Sequence, residues 1–281
     1  MRRGIPAAEV RICAIVTEAA EVRYRRWRGN SGALSSERFG RSRTVPTAAA
    51  RWRRWRVAII LVIASLLAAG PVHAATLALV LAIDVSESVS SERYLLQHEG
   101  IARAFEAPLL LDAIAAAPGG IEALVLEWSD PDKIAITVGW TRIASRGAAG
   151  AFAASVRRTQ RTSNGLTAIG SAMLAAAAAF DHLPEPAGHR VIDISGDGMA
   201  NFGVPPVAAR DTLVSKGITI NGLAILSEEP WLDEYYRSNV IGGPAAFVLV
   251  AKGYDSFADA ILRKLVQEVA SLPAASDVER R

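Results

Sequence analysis

Cysteine is almost absent from this sequence, and its single example, Cys13, lies near the amino terminus. The chain after residue 74 therefore has none, which excludes a disulfide framework, thiol chemistry and a cysteine-ligated metal site there. A Gly-x-Ser-x-Gly nucleophile elbow and a Walker-type phosphate loop are also missing. Histidine is scarce, and His98, His182 and His189 do not adjoin a candidate nucleophile in the sequence. We expect structural or surface roles for these three histidines, and these absences disfavour an enzyme.

The net charge of +3 hides two segments of opposite sign. Residues 1–74 hold 14 arginines and four glutamates, whereas the remainder of the chain holds 17 basic and 24 acidic residues. The high isoelectric point belongs to the front segment, so the charge does not indicate a nucleic acid partner for the rest of the chain.

The end of the basic segment has the pattern of a secretory signal peptide. Residues 51–56 are four arginines and two tryptophans, residues 57–69 form an apolar stretch, and Gly70-Pro71 then breaks the helix before Val72 and Ala74. We therefore expect a signal peptide over residues 51–74, cleavage after Ala74, and a periplasmic or secreted protein. Contact with a membrane is expected only through this segment before cleavage. An uncleaved membrane anchor is the alternative, although the apolar core is short for a bilayer.

The remaining segments fall on either side of one domain. Residues 1–50 are rich in arginine and precede the signal, so they are either a disordered extension or the product of a start assigned too early. We favour the second explanation, with Val45 as a candidate start. Residues 75–270 are long enough for a single domain with a substantial core, and residues 271–281 form a polar tail.

Strand-like and helix-like patterns alternate along residues 75–270. Strands are predicted over residues 76–83, 121–128, 133–140, 189–195, 218–226 and 246–250. Helices are predicted over residues 92–107, 147–158, 168–180, 204–216, 231–237 and 254–270. This order predicts an α/β fold, doubly wound and Rossmann-like, with helices on both faces of a mostly parallel sheet. The third strand alternates apolar and polar residues, which predicts an antiparallel edge strand paired with its predecessor. Sites in such folds form at the carboxyl ends of the strands.

The segment Asp84-Val85-Ser86-Glu87-Ser88, here called the first loop, follows the first apolar strand. A turn there would bring one carboxylate and two hydroxyls toward a single point. Oxygen ligands of this kind suit a hard divalent cation, Mg²⁺ before Mn²⁺ or Ca²⁺. Taken alone, the pattern is weak, because aspartate and serine are common in turns and helix caps.

Two later segments also place oxygen atoms near strand or helix ends. The second loop, residues 163–167, ends in Thr167 just before the predicted alanine-rich helix. Either the hydroxyl of Thr167 is a metal ligand, or it caps that helix. The third loop, residues 195–203, begins Ser195-Gly196-Asp197-Gly198 directly after an apolar strand. Glycines flanking an aspartate there fit either a ligand loop or a simple turn.

In order and spacing, the three loops resemble the metal-ion-dependent adhesion site of von Willebrand factor type A domains. The resemblance covers about residues 75–270 and implies that the cation would be surrounded by Asp84, Ser86, Ser88, Thr167 and Asp197. Segments 127–129, 140–143 and 195–203 further resemble an uncharacterised bacterial subfamily. The third loop departs from many members in reading Ser-Gly-Asp-Gly rather than Thr-Asp-Gly, but it keeps the aspartate.

This resemblance implies an exported, Mg²⁺-dependent module that captures a carboxylate of a partner protein. In the family, hydroxyls contact the metal directly, and aspartates often act through water, which leaves the cation electrophilic. Asp84 and Asp197 are expected on solvent-facing loops rather than in the core, and Glu87 at the solvated rim. A metal-assisted hydrolase and a domain with a vestigial site are the alternatives. Trp128, Trp140 and Trp231 are expected to pack in the core or at sheet edges rather than to form a recognition surface.

Overall fold

The computed structural model describes residues 74–271 of the chain, which form one alternating series of strands and helices. The strands are β1 (Ala75–Asp84), β2 (Ile121–Trp128), β3 (Ile134–Ile143), β4 (Ala187–Gly196), β5 (Ile218–Ile225) and β6 (Val248–Ala251). The helices are α1 (Ser91–Glu106), α2 (Pro108–Ala116), α3 (Arg146–Arg158), α4 (Ile169–Ala179), α5 (Pro206–Ser215), α6 (Leu232–Asn239) and α7 (Phe257–Ala270). Short 3₁₀ turns occupy Phe180–His182 and Tyr254–Ser256.

The six strands form one sheet in the order β3-β2-β1-β4-β5-β6. Every neighbouring pair is parallel except β2 and β3, which are antiparallel and place β3 at one edge. The predicted doubly wound fold with one antiparallel edge strand is therefore confirmed. Because the other strands run in the same direction, their carboxyl ends lie together at one edge of the sheet, here called the carboxyl edge.

β1 lies in the middle of the sheet and is buried on both faces, with Thr76 as its one half-buried residue. Its leucines at positions 77, 79 and 81 join a core with α1, α2, α3 and α7. The smaller Ala78, Val80 and Ala82 join a second core with α4, α5 and α6. Side chains on the two faces of β1 thus pack against two helical layers. These layers hold the end of β1, and the first loop after it, in a fixed position.

The helix α2 was not among the predicted elements. Pro108 follows the end of α1, and proline is normally expected to stop a helix. In the structure Pro108 occupies the first turn of a new helix, where its missing N–H costs nothing. The buried side chains of Leu110 and Ile114 then fix α2 against the core.

The predicted signal segment lies outside the described residues except for Ala74, and the extension before it lies outside altogether. The predicted polar tail also lies outside them, apart from residue 271. Within residues 74–271, each helix is too short or too polar to cross a bilayer.

Candidate metal site at the carboxyl edge

The first loop turns sharply at the end of β1. Asp84 is the last residue of that strand, and its Oδ1 accepts a hydrogen bond of 2.7 Å from the backbone N–H of Ser86. This Asx-type contact curls the chain, so that the Oγ atoms of Ser86 and Ser88 lie 3.2 Å apart. The predicted carboxylate and two hydroxyls are therefore brought together. Ser88 and Glu87 are exposed, so the loop is open to solvent on their side.

The third loop reaches the same point from the neighbouring strand β4. The Ser88 hydroxyl donates a hydrogen bond of 2.6 Å to Oδ1 of Asp197, across 109 residues of sequence. An ionised acceptor makes such a contact short and strong. Asp84, Ser86, Ser88 and Asp197 thus form one cluster of oxygen atoms at the carboxyl edge.

The packing around Gly196 explains why a glycine must precede Asp197. A Cβ placed on Gly196 would lie 2.8 Å from Oδ2 of Asp84 and 2.9 Å from the hydroxyl of Tyr236. Both distances are too short for any side chain, so the backbone of β4 passes between two buried polar groups only as glycine. The glycine in this loop therefore has a packing reason that a simple turn would not require.

Thr167 is held beside the third loop by a pair of hydrogen bonds. Its backbone N–H donates to Oδ1 of Asn201 at 2.8 Å, and the N–H of Asn201 donates to the carbonyl of Thr167 at 3.1 Å. A Cβ built on Gly198 would lie 4.0 Å from the Thr167 hydroxyl. The N-cap of α4 is Ala168, without a side-chain cap, so the capping role considered for Thr167 is wrong. The structure places all five predicted residues on the carboxyl edge.

The electrostatics of the cluster suit a cation. Asp84 and Asp197 are both 0% exposed, which corrects the expectation that they lie on solvent-facing loops. Burial and, to a smaller extent, the charge of Asp197 raise the pKa of Asp84, and against the hydrogen bonds from Ser86 they bring it to about 7. Oδ2 of Asp84 is buried without a hydrogen-bond partner among the described residues. A divalent ion at the cluster would offset both carboxylates and give that oxygen a partner.

Hydroxyls are necessary to any such site. Among residues 74–271, no group of three or more His, Cys, Asp or Glu side chains is arranged to hold a metal ion. The donor set of carboxylate and hydroxyl oxygens fits a hard cation such as Mg²⁺. Metal binding by Asp84, Ser86, Ser88, Thr167 and Asp197 stays a prediction, and the orphaned oxygen of Asp84 is the observation that favours it.

Two arginines support the cluster and were not predicted. Arg161 donates from Nη2 to the carbonyls of Val85 and Ser86, both at 2.8 Å, and from Nε to the carbonyl of Ser163, also at 2.8 Å. It therefore ties the first loop to the second. Its partners in the first loop lie 75 and 76 residues away in sequence, so a local pattern gives no signal for this role.

Arg93, on the first turn of α1, supports the rim of the cluster. Its Nη1 lies 2.9 Å from the carbonyl of Ser88 and 3.5 Å from Oδ2 of Asp197, and it forms an ion pair of 2.6 Å with Glu228. Its guanidinium also lies 5.1 Å from the ring centre of Tyr254. Because Arg93 is shared between Asp197 and the exposed Glu228, it only partly offsets the buried carboxylates.

A buried network beneath the cluster centres on Glu127. Its carboxylate accepts hydrogen bonds from the N–H and hydroxyl of Thr162, both at 2.8 Å, and from the hydroxyl of Tyr94 at 2.8 Å. Nε2 of His98 lies 3.1 Å from the same carboxylate. Burial opposes ionisation, but these contacts outweigh it and lower the pKa of Glu127. Glu127 thus holds the residue next to Arg161, and His98 takes the structural role expected of it.

The three tryptophans differ in their surroundings. Trp128 is completely buried in the core, and Nε1 of the half-buried Trp140 donates to the carbonyl of Ala179 at 2.9 Å. The packing role predicted from the sequence is confirmed for these two. It is wrong for Trp231, which lies at the start of α6 and is 45% exposed.

The fold is similar to those of two proteins of known structure. Proximal thread matrix protein 1 from the mussel byssus, solved with a zinc-occupied MIDAS motif, is 16% identical with a TM-score of 0.50; the match covers 70% of this chain and 46% of that one. The pilus adhesin SpaC from Lactobacillus rhamnosus GG, in its open conformation, is 11% identical with a TM-score of 0.52; the match covers 70% of this chain and 30% of that one. This chain thus spans less than half of either protein.

At such low identity these similarities establish the fold alone. Together with the strand order, they give this chain the fold of von Willebrand factor type A domains, as the three loops predicted. Within that class, the chain belongs to the family described as protein of unknown function DUF1194, which matches residues 74–273. No curated protein matches its sequence.

Proposed function

We propose that this domain is an exported, adhesion-type module that binds a partner protein through a divalent cation at the carboxyl edge. The cation, Mg²⁺ before Mn²⁺ or Ca²⁺, would be held by Asp84, Ser86, Ser88, Thr167 and Asp197. The observation that carries the proposal is the pair of fully buried carboxylates at positions 84 and 197, one with an oxygen that lacks a partner. Such an arrangement is costly without a cation.

Binding of an acidic group follows from the charges of the ligands. Two carboxylates balance a divalent cation, whereas the hydroxyls of Ser86, Ser88 and Thr167 add no charge. When bound, the cation would supply an electrophilic position for a carboxylate from outside. Exposure of Ser88 leaves a route from solvent to that position. The partner is therefore expected to present an aspartate or glutamate side chain.

A non-enzymatic role is part of the proposal. A hydrolase would need a general base close to the cation. The buried His98 is not free for that task, because Nδ1 lies 2.9 Å from the carbonyl of Tyr94 and Nε2 contacts Glu127. His189 lies near the start of β4, and the other end of that strand is at the candidate site. These positions favour binding over catalysis.

The extracellular setting of similar folds supports export. The mussel protein belongs to the byssus, and the bacterial one is a pilus adhesin. A secreted or periplasmic location also agrees with the signal segment expected over residues 51–74. Mass spectrometry of the mature protein from the envelope fraction should find an amino terminus at Ala75. Finding residues 1–74 intact on a soluble cytoplasmic species would contradict export.

Calorimetry on the full chain tests the metal site directly. Wild type should bind one Mg²⁺ or Mn²⁺, and Asp197→Asn should abolish binding because it removes a buried charge at the cluster. Glu87→Ala is the matched control, since Glu87 lies in the same loop but is exposed and outside the ligand set. Unchanged affinity in Asp197→Asn would remove the basis of the proposal.

Capture from an envelope extract then separates binding from catalysis. The partner should be retained in Mg²⁺, released by EDTA, and poorly retained by Thr167→Ala. Assays of the purified protein with p-nitrophenyl phosphate and p-nitrophenyl acetate provide the opposing test. Reproducible Mg²⁺-dependent turnover that disappears in Asp84→Ala would favour the hydrolase instead.

A further inference from the structure

Three large apolar side chains are exposed on loops of the carboxyl edge. Leu166 is 43% exposed, Phe202 is 55% exposed, and Trp231 is 45% exposed. They come from three connections: the second loop, the third loop, and the segment between β5 and α6. Single exposed apolar residues need no explanation, but three on adjoining loops form a candidate interaction surface. These three side chains are here called the apolar rim.

The loops that carry Leu166 and Phe202 are held firmly. The paired hydrogen bonds between Thr167 and Asn201 place Leu166 and Phe202 next to the two bonded residues, one on each loop. The N–H of Leu166 also donates to Oδ1 of Asp130 at 2.7 Å. Both side chains are therefore presented by anchored backbone beside a predicted metal ligand, Thr167.

Contacts on the far side of the third loop fix its shape and locate Trp231. Gly203 has φ +80°, and a Cβ there would lie 2.6 Å from Oγ of Ser171 on α4, so only glycine fits this close approach. The N–H of Ala200 donates to the hydroxyl of Tyr235 at 3.3 Å, and the N–H of Tyr235 donates to the carbonyl of Trp231. The first turn of α6 thus lies against the third loop and brings Trp231 to the same edge.

The other side of the candidate site is charged. Arg93 pairs with the exposed Glu228 and contacts the carbonyl of Ser88, and Glu87 is exposed in the first loop. The predicted ligand Ser88 therefore adjoins a polar half of the edge, and Thr167 adjoins the apolar rim. A partner bound at the site would meet these two halves in a fixed orientation.

We propose that the partner binds through a peptide segment in which an acidic residue is flanked by large apolar side chains. The carboxylate would reach the cation, and the apolar flank would pack on Leu166, Phe202 and Trp231. This inference rests on the proposed function and specifies the chemistry of its partner. A protein segment fits better than an anionic membrane, because the exposed Glu87 would face a whole layer of acidic headgroups there, rather than the single carboxylate of a peptide.

Fluorescence anisotropy with labelled synthetic peptides tests the inference on the full chain. One peptide has a central glutamate flanked by phenylalanine and leucine, the second has serine flanks, and the third has glutamine in place of glutamate with apolar flanks. In Mg²⁺, wild type should bind the first about tenfold more tightly than the second, because apolar area is buried. The glutamine peptide should bind weakly, and EDTA should release the first two.

Variants of the rim give the matching test on the protein side. Phe202→Ser and Trp231→Ser should each reduce the preference for apolar flanks while leaving Mg²⁺ affinity and binding of the serine-flanked peptide unchanged. Leu109→Ser is the control: Leu109 is 59% exposed but lies on α2, which follows the far end of α1. It should keep the full preference.

The outcomes separate this inference from the proposed function. If neither glutamate peptide binds better in Mg²⁺ than in EDTA, the proposed function fails and the inference with it. If both bind equally in Mg²⁺, or the preference persists in the Phe202→Ser, Trp231→Ser double variant, the proposed function stands and the apolar rim has no role. Binding to phosphatidylglycerol vesicles in preference to the peptides would also overturn the inference.

Discussion

Two groups of buried carboxylates in this domain have different partners. Asp193, in the middle of β4, lies 2.8 Å from Nζ of Lys264, which also forms an ion pair of 2.6 Å with Glu268. We call these three residues the buried triad. At the end of the neighbouring β1, Asp84 faces Asp197 instead, and its Oδ2 lacks a partner among the described residues.

The comparison shows that similar buried carboxylates can have different roles. Burial raises the pKa of both Asp84 and Asp193 to about 7. In the buried triad an internal ammonium is available: burial opposes the charge of Lys264, but Asp193 and Glu268 raise its pKa, so it stays charged. For the pair at positions 84 and 197, the cation that residues 74–271 supply is Arg93, which is shared with Glu228. A carboxylate cluster that includes an internal ammonium is structural, whereas one that lacks such a cation is suited to a cation from solvent.

The largest expected effect comes from breaking the buried triad. Lys264→Met removes the cation that faces Asp193 and Glu268 and should lower the free energy of unfolding by about 3–5 kcal/mol. Urea denaturation measures this. Lys252→Met, at an exposed lysine, is the control and should change stability by less than about 0.5 kcal/mol. A loss in Lys264→Met as small as that of the control would mean that the triad is not a structural ion pair.

Saturation with Mg²⁺ should produce the next largest effect, and only at the carboxyl edge. At 100 times its dissociation constant, Mg²⁺ should stabilise wild type by about 2.7 kcal/mol. The same increment is expected in Glu87→Ala, and no increment in Asp84→Asn. Thermal melts with and without Mg²⁺ check this. An equal increment in Asp84→Asn would show that the ion binds elsewhere.

Without metal, Asp84→Asn should stabilise the protein at pH 8 by about 1–3 kcal/mol. The folded pKa of Asp84 lies above its ordinary value of 3.8. As pH rises from about 4 to about 7, the unfolded state therefore loses its proton first, and the native state becomes less stable. Asparagine removes this penalty, so the two melting temperatures should converge near pH 4. A variant less stable than wild type at pH 8 in EDTA would contradict this account.

The smallest change in stability is expected for Thr167→Ala. Its side chain does not cap α4, so the free energy of unfolding should fall by less than about 1 kcal/mol. Affinity for Mg²⁺ should nevertheless fall about tenfold, which corresponds to about 1.4 kcal/mol of lost binding. Thr212→Ala, at a threonine whose hydroxyl bonds within α5, should leave that affinity unchanged. Equal Mg²⁺ affinities in the two variants would exclude Thr167 as a ligand.

Much of the fold could be predicted because buried parallel strands such as β1 appear in sequence as continuous apolar runs. The helix α2 could not be predicted, because a proline after a helix normally indicates that the helix ends. Only the packing of Leu110 and Ile114 shows that a new helix begins there. The five candidate ligands could be predicted from the resemblance to a metal-ion-dependent adhesion site. The ends of β1 and β4 bring four of them to one edge, whereas Thr167 lies between α3 and α4.

The supporting residues of the site could not be predicted. Arg161 and Glu127 act through contacts with residues far away in the chain, and both residue types usually face solvent. Nor does a local pattern tell a buried aspartate from one in an exposed turn. Asp84 and Asp197 were expected on solvent-facing loops, but both are fully buried, and Gly196 lies close to Oδ2 of Asp84 and to the hydroxyl of Tyr236.

The hydrogen bonds of Arg161 affect how fast a partner can bind. Because its guanidinium holds carbonyls of Val85, Ser86 and Ser163, the first and second loops are ordered before any encounter. The conformational entropy of these loops is then lost during folding rather than at binding. We expect observed association rates that rise linearly with concentration in stopped-flow measurements, without the plateau that a closing loop would impose. A binding surface that is ordered before the encounter suits contacts that form and dissociate quickly.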